Sequence, residues 1–257
     1  MKVRIDFTKS AQQNANDYYA KSKKLAQKVA GARKAITELK SRLEKVQRGA
    51  APVEKKTIRK IVEKEWYEKF HWFYTSNGML CIAGRDAHQN ELINSKHFED
   101  KDLFFHANIF GAAVTVLQNG KDAPPEIREE AAQFAASYSS AWKEGLHVVD
   151  VYAMRREQVS KSTSKGSLGT GSFLMSGERE WYKGMTLGIV MFVKEGRLHA
   201  VPRITFEKIK EQVGRHVVVS LGKDKKSDAA KKISKVLEFD DLDTIMQQLP
   251  AGSLRIS

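Results

Sequence analysis

The sequence contains one cysteine, Cys81, in 257 residues. A single cysteine cannot form a disulfide within the chain and cannot build a cysteine-based zinc site, which predicts a reducing, cytoplasmic setting. No apolar run approaches the ~18 residues of a membrane-spanning helix, and the first residues lack the apolar centre of a secretion signal. These absences exclude a disulfide-stabilised secreted protein and a membrane protein.

Proline is scarce, with 5 residues, and glycine accounts for 17. With 41% hydrophobic and 29% charged residues, the composition is that of a globular protein rather than a disordered or low-complexity chain. At ~100–200 residues per domain, the length allows one or two domains.

Acidic residues are rare in the first quarter of the chain. Residues 1–65 carry 18 basic and 7 acidic side chains, a net charge of +11, whereas residues 66–257 carry 26 and 24. A basic segment on a nearly neutral body is typical of a protein that binds a polyanion. RNA is the favoured partner because phosphate contacts supply most non-specific affinity. An acidic membrane surface is the alternative, although an interfacial helix needs a bulkier apolar stripe.

This basic arm, residues 1–65, begins with one predicted helix from Gln12 to Arg48, for which Thr8 and Ser10 are candidate N-caps. Apolar or small residues alternate at spacings of four and three, with Ser22 in the one polar position. This is the heptad pattern of a coiled coil rather than the broader stripe of a helix on a globular core. The seam residues are Ala11, Ala15, Tyr18, Leu25, Val29, Ala32, Ile36, Leu39, Leu43 and Val46.

Basic side chains of the arm lie off this seam. Ten of them fall between Lys21 and Arg48, opposed only by Glu38 and Glu44. An ordinary solvated helix face mixes both signs, so the pattern favours nucleic-acid binding, with a merely solvated face as the alternative. The candidate RNA contacts are Lys21, Lys24, Lys28, Arg33 and Lys34.

The seam needs a partner. A second predicted helix, Val53 to about Phe70, covers roughly half the length of the first and leaves the seam from Ala11 to about Val29 uncovered. We therefore expect a helix from another chain there, either a second copy or a different polypeptide.

From residue 66 onward, the pattern predicts an α+β domain, residues 66–257. Two β-rich runs flank Ser76-Asn77-Gly78, a strong hairpin signal. A helix with Asp86 as its N-cap follows, and Pro124-Pro125 opens another, whose core face runs from Ile127 to Trp142. The other predicted strands are 102–106, 112–117, 146–155, 186–193, 201–206 and 216–221, and the other predicted helices are 225–237 and 240–248.

Side chains suited to contacts with nucleic acid occur at three places in this domain. Arg85, Asp86, Gln89 and Asn90 follow the hairpin and suit phosphate, ribose and base-edge contacts, although they also fit an ordinary helix start. His106 ends an apolar strand and is a candidate RNA contact, with a structural hydrogen bond as the alternative.

The third place is the segment 160–172 and the residues just beyond it. Its glycines, hydroxyls and lysines, Lys161 and Lys165 among them, suit a phosphate cradle. It matches neither the Walker pattern nor the dinucleotide fingerprint, and a flexible surface loop is the alternative. Beyond it, Trp181 and Tyr182 lie beside Arg179 and Lys183 and are candidates for stacking on bases.

Nothing in the sequence requires catalysis. We find no nucleophile–base pair and no nucleophile elbow, and the histidines are scattered singly, so we expect no metal and no cofactor. The favoured function is a non-enzymatic RNA binder. The alternatives are a nucleotide- or phosphoester-handling enzyme that uses the loop 160–172 with His106, and an adhesin-like or DNA-binding role.

Four blocks carry a family resemblance: WYEKFHWFYTSNGMLCIAGRDAHQNE, DLFFHANIFGAAVTV, AASYSSAW and QVSKSTSKGSLGTGSFLMSGERE. In this order they resemble the NFACT-R domain, the RNA-binding module of the NFACT family of ribosome quality control factors. The block DFTKSAQQNANDYYAKSKK resembles the coiled-coil middle region of that family, and the C-terminal stretch is similar to archaeal members.

The resemblance implies a factor for the rescue of stalled ribosomes. It would bind ribosomal RNA on the large ribosomal subunit that holds peptidyl-tRNA. On that subunit it would also contact tRNA. The NFACT-N half of the family has no counterpart in these blocks. The resemblance therefore implies a split factor whose other half supplies the missing coiled-coil helix, a homodimer through the seam, or a fragment.

Overall fold

The computed structural model describes residues 5–47, 64–163 and 166–257. They belong to two compact units, an N-terminal unit, Met1–Ile61, and a C-terminal unit, Val62–Ser257.

The described part of the N-terminal unit is dominated by one helix, α1 (Ala11–Gln47), of 37 residues. At ~1.5 Å per residue it is about 55 Å long. Ser10 caps it, because the Ser10 Oγ accepts a hydrogen bond from the Gln13 amide (3.2 Å) while the Gln13 side chain accepts one from the Ser10 amide (2.9 Å). This reciprocal pair is a capping box. The predicted helix and the Ser10 cap are thus confirmed, whereas the Thr8 hydroxyl donates to Asp6 instead.

The part of the α1 seam from Ala11 to Leu39, whose side chains the structure describes, faces solvent. Leu25, Val29, Ile36 and Leu39 are between 52% and 62% exposed. A monomeric helix leaves such a seam uncovered, and its pairing as a coiled coil stays a prediction.

The second predicted helix lies mostly on residues 48–63, outside the described residues. Its predicted C-terminal end is wrong, because Trp66–Lys69 is a 3-10 turn and Phe70 is already extended.

The C-terminal unit mixes helices and antiparallel strands, as the α+β class requires. The helices are α2 (Ala87–Lys96), α3 (Pro125–Ser137), α4 (Ala141–Glu144), α5 (Arg203–Ile209), α6 (Lys226–Leu237) and α7 (Leu242–Gln248). The strands are β1 (His71–Tyr74), β2 (Leu80–Ala83), β3 (Leu103–Ala107), β4 (Thr115–Leu117), β5 (Val148–Met154), β6 (Val159–Ser160), β7 (Ser162–Thr163), β8 (Gly166–Ser167), β9 (Leu174–Met175), β10 (Glu180–Thr186), β11 (Ile189–Lys194), β12 (Arg197–Pro202), β13 (His216–Asp224) and β14 (Leu254–Ile256).

The larger sheet has the strand order β1-β2-β4-β3-β5-β10, and a four-stranded sheet has the order β12-β11-β13-β14. The pairs β6-β9 and β7-β8 form two small ladders. The predicted hairpin is confirmed: β1 and β2 pair antiparallel, and Gly78 takes the positive φ of +87° that the turn requires.

Helix α3 packs against the larger sheet and against β12. Because side chains alternate along a strand, Phe73 and Phe105 join α3 in the main core, while Trp72 and Phe104 belong to a second core on the opposite face. Both faces contribute to the candidate site, because α3, α4 and α7 pack in the main core, whereas strand alternation places His106 on the face of Phe104.

Three predicted elements differ from the structure. The strand predicted for 201–206 ends at Pro202, where α5 begins, because proline has no amide proton for a ladder and fits a helix start. The helix opened by the two prolines ends at Ser137 rather than Trp142. Strand β10 begins at Glu180 and was not predicted before residue 186, since its exposed edge position lacks an apolar pattern.

Candidate nucleic-acid interface

A cleft of about 460 Å³ opens in the C-terminal unit. Its walls bring together segments that are far apart in sequence: the turn before α2, the loop between β3 and β4, the end of α3 with the start of α4, the glycine-rich loop, and the turn after α7. Among the predicted site residues, Arg85, Asp86, Asn90 and His106 line this cleft, and residues 170–172 of the loop form one wall.

Most of the predicted polar groups at the start of α2 have local structural partners. The Asp86 carboxylate accepts from the Gln89 amide (2.8 Å), which confirms Asp86 as the N-cap. The Asn90 side-chain oxygen accepts from the Val114 amide (3.0 Å). Gln89 accepts from the Arg85 amide (3.1 Å) and donates to the Lys69 carbonyl (3.0 Å). The Arg85 guanidinium also donates to the Lys69 carbonyl. Contacts from Arg85, Asp86, Gln89 and Asn90 to RNA therefore stay predictions.

Lys161 attaches the glycine-rich loop to α2. Its ammonium contacts Glu91 (2.5 Å) and donates to the carbonyls of Gly169 (2.7 Å) and Ser172 (3.2 Å), and the Gly171 amide donates to the same carboxylate oxygen (3.1 Å). The bond to Lys161 holds the pKa of Glu91 below its usual value. Lys161 thus builds the wall of the cleft, and its contact with phosphate stays a prediction.

Close packing requires a glycine at the middle of this wall. Gly171 has a φ of +78°, and a Cβ there would lie 2.8 Å from the Cβ of Ala87. Only a residue without a side chain allows the loop to approach α2 so closely.

The cleft is electropositive. Arg85 and Lys143 line it, and Asp86, already bonded as the helix cap, is the only carboxylate among the described lining residues. Lys226 lies nearby and donates to the Leu249 carbonyl (2.7 Å). Burial lowers the pKa of Lys226, and the charges of Arg85 and Lys143 lower it further. Three cations and one carboxylate, Asp86, thus share this region, with Asp86 interacting electrostatically with Arg85. The remaining excess of positive charge favours an anion.

The two histidines of the cleft are neutral at physiological pH. Burial lowers the pKa of His106 to about 4 and that of His71 to about 3. His71 stacks on Tyr138, with ring centroids 3.9 Å apart. Neither ring adds positive charge, so both act through hydrogen bonds and stacking.

An aromatic row, His106, Tyr152 and Trp181, crosses β3, β5 and β10. These residues are direct cross-strand neighbours with ring centroids 5.7 and 5.5 Å apart. The guanidinium of Arg179 lies 4.5 Å from the Tyr152 ring centre, and Lys183 Nζ lies 4.1 Å from that of Trp181. Trp181 is 39% exposed. An exposed ring flanked by cations suits base stacking.

Tyr182 does not belong to this row. Strand alternation turns it to the opposite face, where its hydroxyl donates to Glu180 (2.5 Å). Tyr152, which no local sequence pattern indicated, lies beside Trp181 instead.

Four site residues came only from the structure: Lys143, Lys226, Tyr152 and Phe110. The lysines and Phe110 come from distant segments that no local motif connects. Strand alternation on β5 could have identified Tyr152 only once its pairing with β3 and β10 was known.

In the N-terminal unit, Lys21, Lys28 and Arg33 are exposed on α1. Lys165 and the side chains of Lys24 and Lys34 lie outside the described residues.

Within the described ranges, no group of three or more His, Cys, Asp or Glu side chains could hold a metal ion. No described helix is long and apolar enough to cross a membrane.

Residues 69–177 match the family described as the NFACT protein RNA binding domain. This range contains the turn before α2, the glycine-rich loop and His106. The chain therefore belongs to the NFACT family. This confirms the resemblance seen in its sequence blocks.

Individual relatives are similar over most of this chain. It is 36% identical to the archaeal Rqc2 homolog aRqcH of Methanocaldococcus jannaschii over 79% of this chain and 30% of that protein. It is 38% identical to the ribosome quality control complex subunit NEMF homolog of Drosophila melanogaster over 75% of this chain and 20% of that protein. The chain thus spans less than a third of the length of these relatives.

A solved structure is also similar, the C-terminal part of the fibronectin/fibrinogen-binding protein from Streptococcus suis. It is 21% identical with a TM-score of 0.40, covering 68% of this chain and 76% of that one.

Proposed function

We propose that this chain is a non-enzymatic RNA- and ribosome-binding factor of ribosome quality control. It engages the large ribosomal subunit that retains peptidyl-tRNA after stalling. The observation that carries the proposal is the electropositive cleft inside a domain of an RNA-binding family. The names of its relatives, which are subunits or homologs of ribosome quality control factors, support the ribosome as the target.

The basic helix α1 supplies the electrostatic part of binding. Its exposed lysines and arginines contact ribosomal RNA phosphates without reading sequence. The C-terminal unit supplies shape-specific contacts through the cleft and the aromatic row. tRNA and ribosomal RNA are both suitable ligands for such a surface.

The exposed seam of α1 pairs with a helix of another chain in this proposal. The partner is an NFACT-N-type half or a second copy. A sedimentation experiment on the chain alone distinguishes a homodimer from a monomer that requires a different partner.

Several features support binding rather than catalysis. A phosphoester enzyme would depend on the loop 160–172. Of its described residues, Lys161 and Gly171 bond to Glu91 of α2, and residues 170–172 form a wall of the cleft. The His106 ring lies 3.4 Å from the Tyr152 hydroxyl, and burial lowers the pKa of His106 to about 4, so it is a weak base at neutral pH. Turnover of ATP or GTP by the purified chain would support the enzyme alternative.

Co-sedimentation with intact ribosomes and with dissociated subunits, at two ionic strengths, tests the proposal. We expect binding to the dissociated large subunit that weakens steeply with salt, because phosphate contacts release counterions. In the variant Lys21→Glu, Lys28→Glu and Arg33→Glu, we expect at least a tenfold loss of binding.

A matched control carries the same change of charge in the C-terminal unit. Lys223, Lys231 and Lys235 are exposed on or before α6, and their replacement by Glu should leave most binding intact. Equal losses in both variants would show that net charge alone matters. A wild-type chain that fails to sediment with large subunits at low salt would contradict the proposal.

A further inference from the structure

Phe110 is more exposed than any other large apolar side chain of the described residues, at 97%. It lies in the loop between β3 and β4, at the cleft that also contains Arg85 and Lys143. Nothing in the C-terminal unit covers the ring among the described residues. An exposed aromatic ring at the mouth of a cleft is typical of a ligand contact.

The backbone around Phe110 is held on both sides. The Ser140 hydroxyl donates to the Phe110 carbonyl (2.5 Å). The backbone amide of Asn108 donates to the Asp150 carbonyl (2.7 Å), and that of Ile109 donates to the Ala107 carbonyl (2.8 Å). Gly111 follows with a φ of +76°. These bonds fix the backbone from which the ring projects, so the conformation of the loop itself keeps the ring exposed.

The cleft beneath the ring favours a phosphate. Arg85 and Lys143 line it, and Asp86 is the only carboxylate among the described lining residues. Asp86 offsets part of the charge of Arg85, whose guanidinium also contacts the Lys69 carbonyl, so the cleft keeps an excess of positive charge. A flat apolar ring beside this excess matches a ligand with a flat apolar part and an anionic part. A nucleotide has both.

The size of the site selects an unpaired strand. A cleft of about 460 Å³ is in the range of sites for small ligands, ~300–1,000 Å³, and it cannot admit a duplex. Bases inside a duplex also have no free face to stack on a protein ring, whereas bases of single strands do.

We propose that Phe110 and this cationic cleft bind one unpaired nucleotide of RNA, with the base stacked on the Phe110 ring and the phosphate held by Arg85 and Lys143. The proposal rests on the proposed function and deepens it, because it names single-stranded RNA as the ligand class of the C-terminal unit.

Fluorescence anisotropy of the full chain tests it, with a labelled single-stranded RNA of about ten nucleotides and the same RNA as a blunt duplex. Phe110→Ala should weaken binding of the single strand about 5- to 100-fold, since stacking of a base on an aromatic ring contributes ~1–3 kcal/mol. Duplex binding should not change. Phe110→Trp should retain the affinity, whereas Phe110→Leu, which keeps an apolar side chain without a ring, should not.

Two controls separate the ring from general effects. Phe7 in the N-terminal unit is 92% exposed, and Phe7→Ala should leave single-strand affinity within a factor of two. Lys143→Gln should weaken single-strand binding and reduce its salt dependence, because it removes one phosphate contact. Thermal unfolding of every variant should match the wild type, since these side chains contribute little to the core.

Each other outcome overturns the proposal or its basis. Unchanged single-strand affinity in Phe110→Ala, with ribosome binding intact, would refute the nucleotide site and leave the proposed function standing. A loss of ribosome binding without a loss of single-strand affinity would assign the ring to a protein contact and also refute it. A wild-type chain that binds neither RNA nor ribosomes would contradict the proposed function itself.

Discussion

The N-terminal and C-terminal units become positively charged in different ways. In α1 the charge follows directly from composition, because the helix has few acidic residues and its described lysine and arginine side chains are exposed. The C-terminal unit is almost neutral, with 26 basic and 24 acidic residues from 66 to 257. Its positive cleft exists because folding places Arg85, Lys143 and Lys226 close together with a single carboxylate, Asp86, among the described lining residues. Composition suffices for the first surface, and tertiary contacts create the second.

The same substitution should have opposite effects in the two units, which is the largest effect we expect. Gly171→Ala should destabilise the C-terminal unit by about 1–3 kcal/mol, because a side chain at positive φ is strained and its Cβ would meet Ala87. The measurement is chemical denaturation followed by tryptophan fluorescence, which reports on this unit because all 4 Trp lie after residue 65.

Gly31→Ala is the matched control for that experiment. Apart from its chain neighbours and the backbone of its own helix, no described atom lies within 4 Å of a Cβ at Gly31, and alanine favours a helix over glycine by ~1 kcal/mol. Helical circular dichroism should rise in this variant. If both variants destabilise their units, or if neither does, the expected difference between the two units is wrong.

The aromatic row offers a test of intermediate size. Trp181→Ala should weaken RNA binding about 5- to 10-fold. This is the lower end of the ~1–3 kcal/mol that a base-stacking ring contributes, because Trp181 is only 39% exposed. Trp181→Phe, which keeps a smaller ring, should recover part of the loss in the same anisotropy assay. If Trp181→Ala binds RNA like the wild type while Phe110→Ala does not, the cleft binds RNA without a contribution from the aromatic row.

Acid should weaken the attachment of the glycine-rich loop, which is the smallest effect. Glu91 has a folded-state pKa below its usual value of 4.5, chiefly through its bond to Lys161. Its contribution to stability is therefore present above about pH 4.5 and is lost as the pH falls through the lowered pKa. We expect wild type to melt higher than Glu91→Gln at pH 7, with the gap closing towards pH 3. A constant gap over this range would show that the ion pair is not responsible.

Local signals predicted much of the fold. Ser10 and Asp86 were identifiable as caps because capping depends on residues within one turn, and the hairpin at Asn77-Gly78 depends on four residues. The strand predicted through residue 206 failed because the apolar pattern of Val201–Phe206 fits either a strand or a short helix.

The candidate site was predictable only in pieces. Arg85 and His106 were selected, but no local pattern indicated that they line the same cleft as Lys143 and Phe110. Lys161 was selected for its charge, whereas its role depends on Glu91, 70 residues earlier in the chain.

By itself, the sequence determined the long basic helix, the mixed helix-and-strand class and the family, since these depend on neighbours in the chain and on composition. Only the tertiary structure decided which charges remain available and which rings share a face. The reason is physical: a side chain's chemistry depends on what lies within a few ångströms of it, and in the C-terminal unit those neighbours come from distant segments.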